Sequence, residues 1–117
     1  MLSRKNRVPR ELFPFLLKNG KKYASAHIFL RVVRFSEEDR VLNTRFSFVV
    51  SAKVAKKAVD RNKLRRFGYE IVGKDVDNFK NGFVAVFFYT KDALKISKKE
   101  LLNEINTLLK QAGLFKN

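Results

Sequence analysis

Lys53-Val54-Ala55-Lys56-Lys57-Ala58-Val59-Asp60-Arg61-Asn62-Lys63-Leu64-Arg65-Arg66 is the stretch on which the architecture turns. Seven of its fourteen residues are basic and one is acidic. Arg45 to Val50, just before it, reads as a strand with Phe46, Phe48 and Val50 on one face. Leu64, Phe67 and Ile71 then fall at i, i+3 and i+7 and define a core stripe on a helix. Arg61, Asn62, Arg65 and Arg66 lie on the other side of that wheel. Val54 and Ala55 do not phase with the stripe. The spacing therefore predicts a basic loop over 51–56 feeding a helix that begins around Lys57. Gly68 within this helix costs about 1 kcal/mol relative to Ala. A cationic segment held between two core-forming pieces keeps one orientation, which a basic tail does not.

Outward from this stretch, Gly73 to Gly82 reads as a loop carrying Asp75, Asp77 and Asn78. Phe83-Val84-Ala85-Val86-Phe87-Phe88-Tyr89 is a continuous apolar run, the pattern of a strand covered on both faces. Ser97 and Glu100 make a capping box. Leu101, Leu102, Ile105, Leu108, Leu109 and Ala112 form the apolar face of the helix that follows, and Gly113 closes it. Toward the N-terminus, residues 25–35 read as a strand, with Ile28, Leu30 and Val32 alternating with Phe29, Arg31 and Val33. Ser36 to Asn43 is a polar connection, so the strands on either side of it are expected to pair antiparallel. Residues 11–19 read as a short helix with Leu12, Phe13, Leu16 and Leu17 on one face and Gly20 at the C′ position. Pro14 fits only in its first turn. Residues 1–10, with Arg4, Lys5, Arg7 and Arg10, read as an extended basic arm. The expected order is α-β-β-α-β-α, a mixed sheet packed with helices in one α+β domain spanning residues 1–117.

The chain has 117 residues, 45% of them hydrophobic, with 12 Phe to supply buried area. Lys and Arg number 26 against 11 Asp and Glu, a formal net charge of +15. Such self-repulsion opposes compaction unless a polyanion offsets it. Nucleic acid is the leading partner and an anionic membrane surface the second. The acids fall in two groups, Glu37-Glu38-Asp39 and Asp75 with Asp77, which leaves other surfaces still more basic. Without Cys there is no disulfide framework or thiolate metal site, which fits a reducing compartment. No apolar run approaches the length of a membrane span, and Met1 to Arg7 leads into no apolar signal region. The expectation is a cytoplasmic protein.

Little in the chain suggests self-sufficient catalysis. His27 is the one histidine and has no evident partner. No phosphate loop or dinucleotide fingerprint is present. The acidic residues sit in loops, where solvation is the commoner role; a weak divalent-ion site at Asp75 and Asp77 is the alternative. The basic helix face is different. Asp60 alone offsets seven cations, so the i,i+4 pairing of an ordinary solvated face is missing. Arg61, Arg65 and Arg66 offer fork-shaped donors, Lys63 a point charge, and Asn62 an amide for backbone or base edges. Lys53 and Lys56 lie where a helix N-terminus adds its own positive dipole. This pattern favours nucleic-acid binding over a solvated face.

Val50-Ser51-Ala52-Lys53-Val54-Ala55-Lys56-Lys57-Ala58-Val59-Asp60-Arg61-Asn62-Lys63-Leu64-Arg65-Arg66 resembles the signature of the protein subunit of bacterial ribonuclease P, V-S-K-K-V-x-K-x-A-V-x-R-N-R-x-[KR]-R directly after a strand. The likeness extends to the early short helix, Lys18-Asn19-Gly20, the late apolar strand and the Leu-rich last helix. Ala52 replaces a usual Lys, Lys63 stands where Arg is commoner, Leu17 where an aromatic is frequent, and Pro14 is unusual. The resemblance implies a left-handed β-α-β crossover and a protein that binds a catalytic RNA. It implies removal of 5′ leaders from precursor tRNA, with the hydrolysis carried by the RNA and its bound Mg2+. Lys53, Lys56, Arg61, Asn62, Lys63, Arg65 and Arg66 would face ribonuclease P RNA. Phe13, with Leu17 beside it, and Arg31 and Arg45 would line a cleft for the single-stranded leader. Phe13 equally suits the core, and Arg31 and Arg45 also read as ordinary outward strand residues. No catalytic residue, protein-bound metal, dinucleotide, small-molecule cofactor or membrane is implied. A structural RNA-binding protein of ribosomal type, a DNA-compacting protein and an autonomous nuclease are the competing classes.

Overall fold

The computed structural model describes residues 6–35 and 44–116. Its centre is β4 (Phe83–Tyr89), the apolar run. Six of its seven residues are buried, because a strand apolar on both faces gains most from the middle of the sheet. β2 (Ile28–Arg34) pairs antiparallel with one edge of β4, and β3 (Arg45–Val49) pairs parallel with the other. β1 (Lys21–Ala24) adds antiparallel to β2, giving the order β1-β2-β4-β3. The mixed sheet and single α+β layout are as the periodicities suggest.

The pairing differs from the expected hairpin. β2 and β3 are not neighbours, because β4 takes the place between them. A parallel β3–β4 pair requires a crossover, and α2 (Ala58–Lys74) supplies it. The expected strand over 25–35 is shorter, Ile28–Arg34, and a further strand precedes it. Ser25 begins a turn in which its amide donates to the Ile28 carbonyl at 2.9 Å, and the chain before it has already become β1. Ser36 to Asn43 lies outside the described residues, as do Arg4 and Lys5. The described part of the arm is partly extended: Arg7 bridges to Phe46, and the Val8 amide donates to the Phe46 carbonyl at 3.1 Å. Arg10 belongs instead to a 3-10 turn, Arg10–Leu12.

That turn leads into α1 (Phe13–Asn19), with Pro14 in its first turn. Gly20 does not take the left-handed conformation expected of a C′ glycine; its φ is −71°. Its constraint is space, because a Cβ there would meet the Leu16 carbonyl oxygen at 2.5 Å. α2 runs past Gly73 to Lys74 before a single turn at Val76–Asn78, so the expected loop from Gly73 is shorter. α3 (Lys98–Gln111) is capped by the Ser97 side chain, which accepts from the Glu100 amide at 3.1 Å. Gly113, with φ +74°, ends it.

The sheet carries a core on each face. Ile28, Leu30, Phe46, Phe48, Phe87 and Tyr89 face α2 and α3. Val84 and Val86 face α1, where Leu16 is buried against them. Leu64 and Ile71 are buried as the stripe requires, whereas Phe67 is half-buried. The Tyr89 hydroxyl donates to the Leu64 carbonyl at 2.8 Å, and burial raises its pKa, which keeps the phenol a donor.

His27 does have a partner, 77 positions away. Its Nδ1 lies 2.7 Å from Glu104 Oε2, and its amide donates to Oε1 at 2.7 Å. Ser25 Oγ donates to the same carboxylate. Burial pushes the Glu104 carboxyl up, but the hydrogen bonds from Ser25 and His27, with the His27 charge, outweigh it and hold it below its ordinary value. A depressed folded-state pKa stabilises above the unfolded value and is lost as pH falls through the folded one. Glu104→Gln is therefore expected to be less stable than the parent near neutrality, with the gap closing as pH drops below about 4.5. Urea titrations from neutral pH to pH 3 check this; a gap independent of pH would rule out the carboxylate as its source.

Candidate nucleic-acid interface

Between β3 and α2 the chain turns tightly. The Val54 and Ala55 amides donate to the Ser51 carbonyl at 3.1 and 3.2 Å, and Ala55 is buried. Val54 and Ala55 thus anchor the loop, which is why they fall out of phase with the helix. Lys53 and Lys56 are exposed around this anchor. Lys57 is the N-cap of α2 and makes no side-chain cap bond, leaving the positive helix end open beside the lysines.

Along α2, Asn62, Lys63 and Arg66 are exposed and Arg65 is half-buried. Arg65 Nη2 donates to Asn62 Oδ1, so these two side chains support one another one turn apart. Arg61 behaves differently. It is half-buried, and its Nη1 donates to the Ala55 and Lys56 carbonyls, each at 2.9 Å. It therefore clamps the loop onto the helix, a role invisible on a helical wheel. Among the described residues the ion pairs are His27–Glu104 and Lys95–Asp92, so no carboxylate forms an ion pair on this face.

The leader candidates lie across the sheet on the α1 side. Phe13 is half-buried and packs with the Leu16, Val84 and Val86 cluster, so it belongs to that second core as well as to its margin. Leu17 is 50% exposed. Arg31 Nη1 reaches the Leu17 carbonyl at 3.4 Å, which brings those two together. Arg45 is drawn away from them, its Nη1 donating to the Arg7 carbonyl at 3.0 Å.

The sheet register adds residues that periodicity alone did not single out. Phe29 pairs with Phe88 on the α1 face, their rings stacked with centroids 4.9 Å apart. The Lys22 ammonium lies 4.5 Å from the Phe29 ring centroid. Both rings are only half-buried. The alternation of β2 placed Phe29 and Arg31 on one side, but the neighbour that completes the platform comes from β4. Among the described residues no three His, Cys, Asp or Glu side chains converge as a metal cage.

A family model for ribonuclease P matches residues 2–113. The chain belongs to the ribonuclease P protein family. The ribonuclease P protein component of Synechococcus elongatus is 33% identical over 107 residues, covering 91% of this chain and 88% of its own length. That of Synechocystis is 28% identical over 103 residues, covering 88% and 81%. Two solved ribonuclease P proteins share the fold. That of Staphylococcus aureus superposes with a TM-score of 0.84 at 20% identity, over 95% of this chain and 98% of its own. That of Thermotoga maritima gives 0.77 at 24%, over 90% and 96%. The ribonuclease P protein family supplies a subunit of an endoribonuclease, and its role is RNA binding in the 5′ maturation of tRNA. An RNA partner accounts for the +15 charge.

Proposed function

We propose that the chain works through two surfaces on opposite sides of one sheet. The loop over 51–57 and the outer face of α2 seat it on the ribonuclease P RNA through Lys53, Lys56, Asn62, Lys63, Arg65 and Arg66, with Arg61 holding the loop in place. The uncovered strip beside α1 holds the single-stranded 5′ leader of precursor tRNA. Phe29 and Phe88 offer stacking that tolerates any base, Lys22 and Arg31 offer phosphate contacts, and Phe13 and Leu17 form the α1 wall. Arg45 serves this surface indirectly, by fixing the N-terminal segment. Residues 1–10 act as a basic arm of the same domain. The phosphodiester hydrolysis belongs to the RNA, with Mg2+ bound mainly there. The cytoplasm is the inferred location because precursor tRNA is made there; among the described residues no helix is long and apolar enough to cross a membrane.

The observation that carries this reading is the cationic face of α2, which among the described residues forms no ion pair. Mixing the protein with a ribonuclease P RNA at low magnesium is expected to stimulate precursor cleavage, and no stimulation would leave only structural RNA binding. In the same assay Phe29→Ala should weaken binding of leader-bearing precursor by roughly 5- to 160-fold, the worth of about one stacked base. Binding of mature tRNA should stay unchanged. Equal losses for both substrates would remove the leader from this strip.

A further inference from the structure

α2 meets the segment before α3 along a concavity of about 190 Å³. Leu64 and Phe67 of α2, Leu94 and Ile96 of the connecting segment, and Leu101 of α3 form its apolar walls. Lys63 and Lys98 stand at its mouth. Among the described residues neither pairs with a carboxylate. The Lys98 ammonium sits instead 5.6 Å from the Phe67 ring centroid. Lys98 is also the first residue of α3, where the helix dipole disfavours a cation. Leu94 is 44% exposed at the rim, leaving apolar surface open to water.

An aromatic-walled slot with cations at its lip is complementary to a flat neutral ring joined to an anion. A nucleotide has that chemistry. A protein helix, about 10–12 Å across, does not fit so small a space. Lys63 lies on the same helix as Asn62, Arg65 and Arg66, so an RNA lying on that face runs past the mouth. We infer that the slot receives one unpaired nucleobase of the bound RNA, set against Phe67, with adjoining phosphates on Lys63 and Lys98. This rests on the reading that α2 faces the RNA subunit. The odd exposure of Phe67, a stripe residue left half-buried, then has a use.

Leu94→Asp places a carboxylate in the slot. Leu102→Asp makes the same charge change at an α3 residue that is 37% exposed and outside the slot lining. The full chain carrying each change is titrated with ribonuclease P RNA, and the RNA in each complex is probed chemically nucleotide by nucleotide. Leu94→Asp should weaken binding about tenfold more than Leu102→Asp, in the range of one lost base stack. One nucleotide should lose protection in the Leu94→Asp complex alone. Equal losses, or an unaltered footprint, would overturn the slot. If Arg65→Ala with Arg66→Ala weakens binding while the two aspartates act alike, the slot alone fails. If that arginine pair changes nothing, the α2 reading fails and takes the slot with it.

Discussion

Arg65→Ala combined with Arg66→Ala is expected to weaken binding to ribonuclease P RNA by roughly 25- to 60-fold at 0.1 M salt relative to the deficit at 1 M. Each phosphate contact contributes about 0.7–0.9 to the slope of log K against log salt, so two lost contacts flatten it by about 1.4–1.8. The effect should be nearly independent of RNA sequence, because phosphate contacts position without reading bases. Neither side chain holds the fold together: Arg66 is exposed, and among the described residues Arg65 bonds only to the neighbouring Asn62. Filter binding across a salt series, with circular dichroism as the fold control, measures both terms. An unchanged slope with the fold intact would mean that this face is merely solvated. Arg61 is kept out of the test because its guanidinium holds the Ala55 and Lys56 carbonyls. Removing it would loosen the loop that carries Lys53 and Lys56, mixing a structural loss with an electrostatic one.

The contrast between Arg61 and its neighbours marks where residue patterns stop being informative. A helical wheel sorts side chains by direction but not by length, and a guanidinium can fold back over its own N-terminus. β3, α2 and α3 were legible because their apolar residues recur at one period, and β4 because it is a continuous apolar run. β1 was not: Lys-Lys-Tyr-Ala has one half-buried residue and earns its strand only from its partner β2. Strand order was not legible either, since alternation names a strand's faces and says nothing about its edges. The Phe29–Phe88 platform depends on that order, as the His27–Glu104 contact depends on α3 crossing the end of β2. The cationic face of α2 was readable because it is local, whereas the strip proposed for the leader is assembled from β1, β2, β4 and α1.

Gly68→Ala is expected to destabilise the protein by about 1–3 kcal/mol, against what helix propensity alone implies. Propensity favours Ala by about 1 kcal/mol at such a position. However, a Cβ at Gly68 would stand 2.3 Å from Phe48 Cδ1 and 2.5 Å from Cε1. The Phe48 ring has little room to move. It stacks on Phe87 at 4.8 Å, meets Tyr69 edge-on at 5.1 Å, and is 2% exposed. Relief therefore has to come from lifting α2 off β3, along the contact that aims the arginine face. The midpoint of urea unfolding should fall with little change in its slope. Pairing Gly68→Ala with Phe48→Leu, which trades the ring for a smaller side chain, should cost less than the sum of the two changes, because the residues share one contact. Additive costs would mean that the glycine serves the helix backbone rather than the ring. A stabilised Gly68→Ala protein would mean that α2 has freedom to shift over β3, and the cationic face would then be less rigidly held than this packing requires.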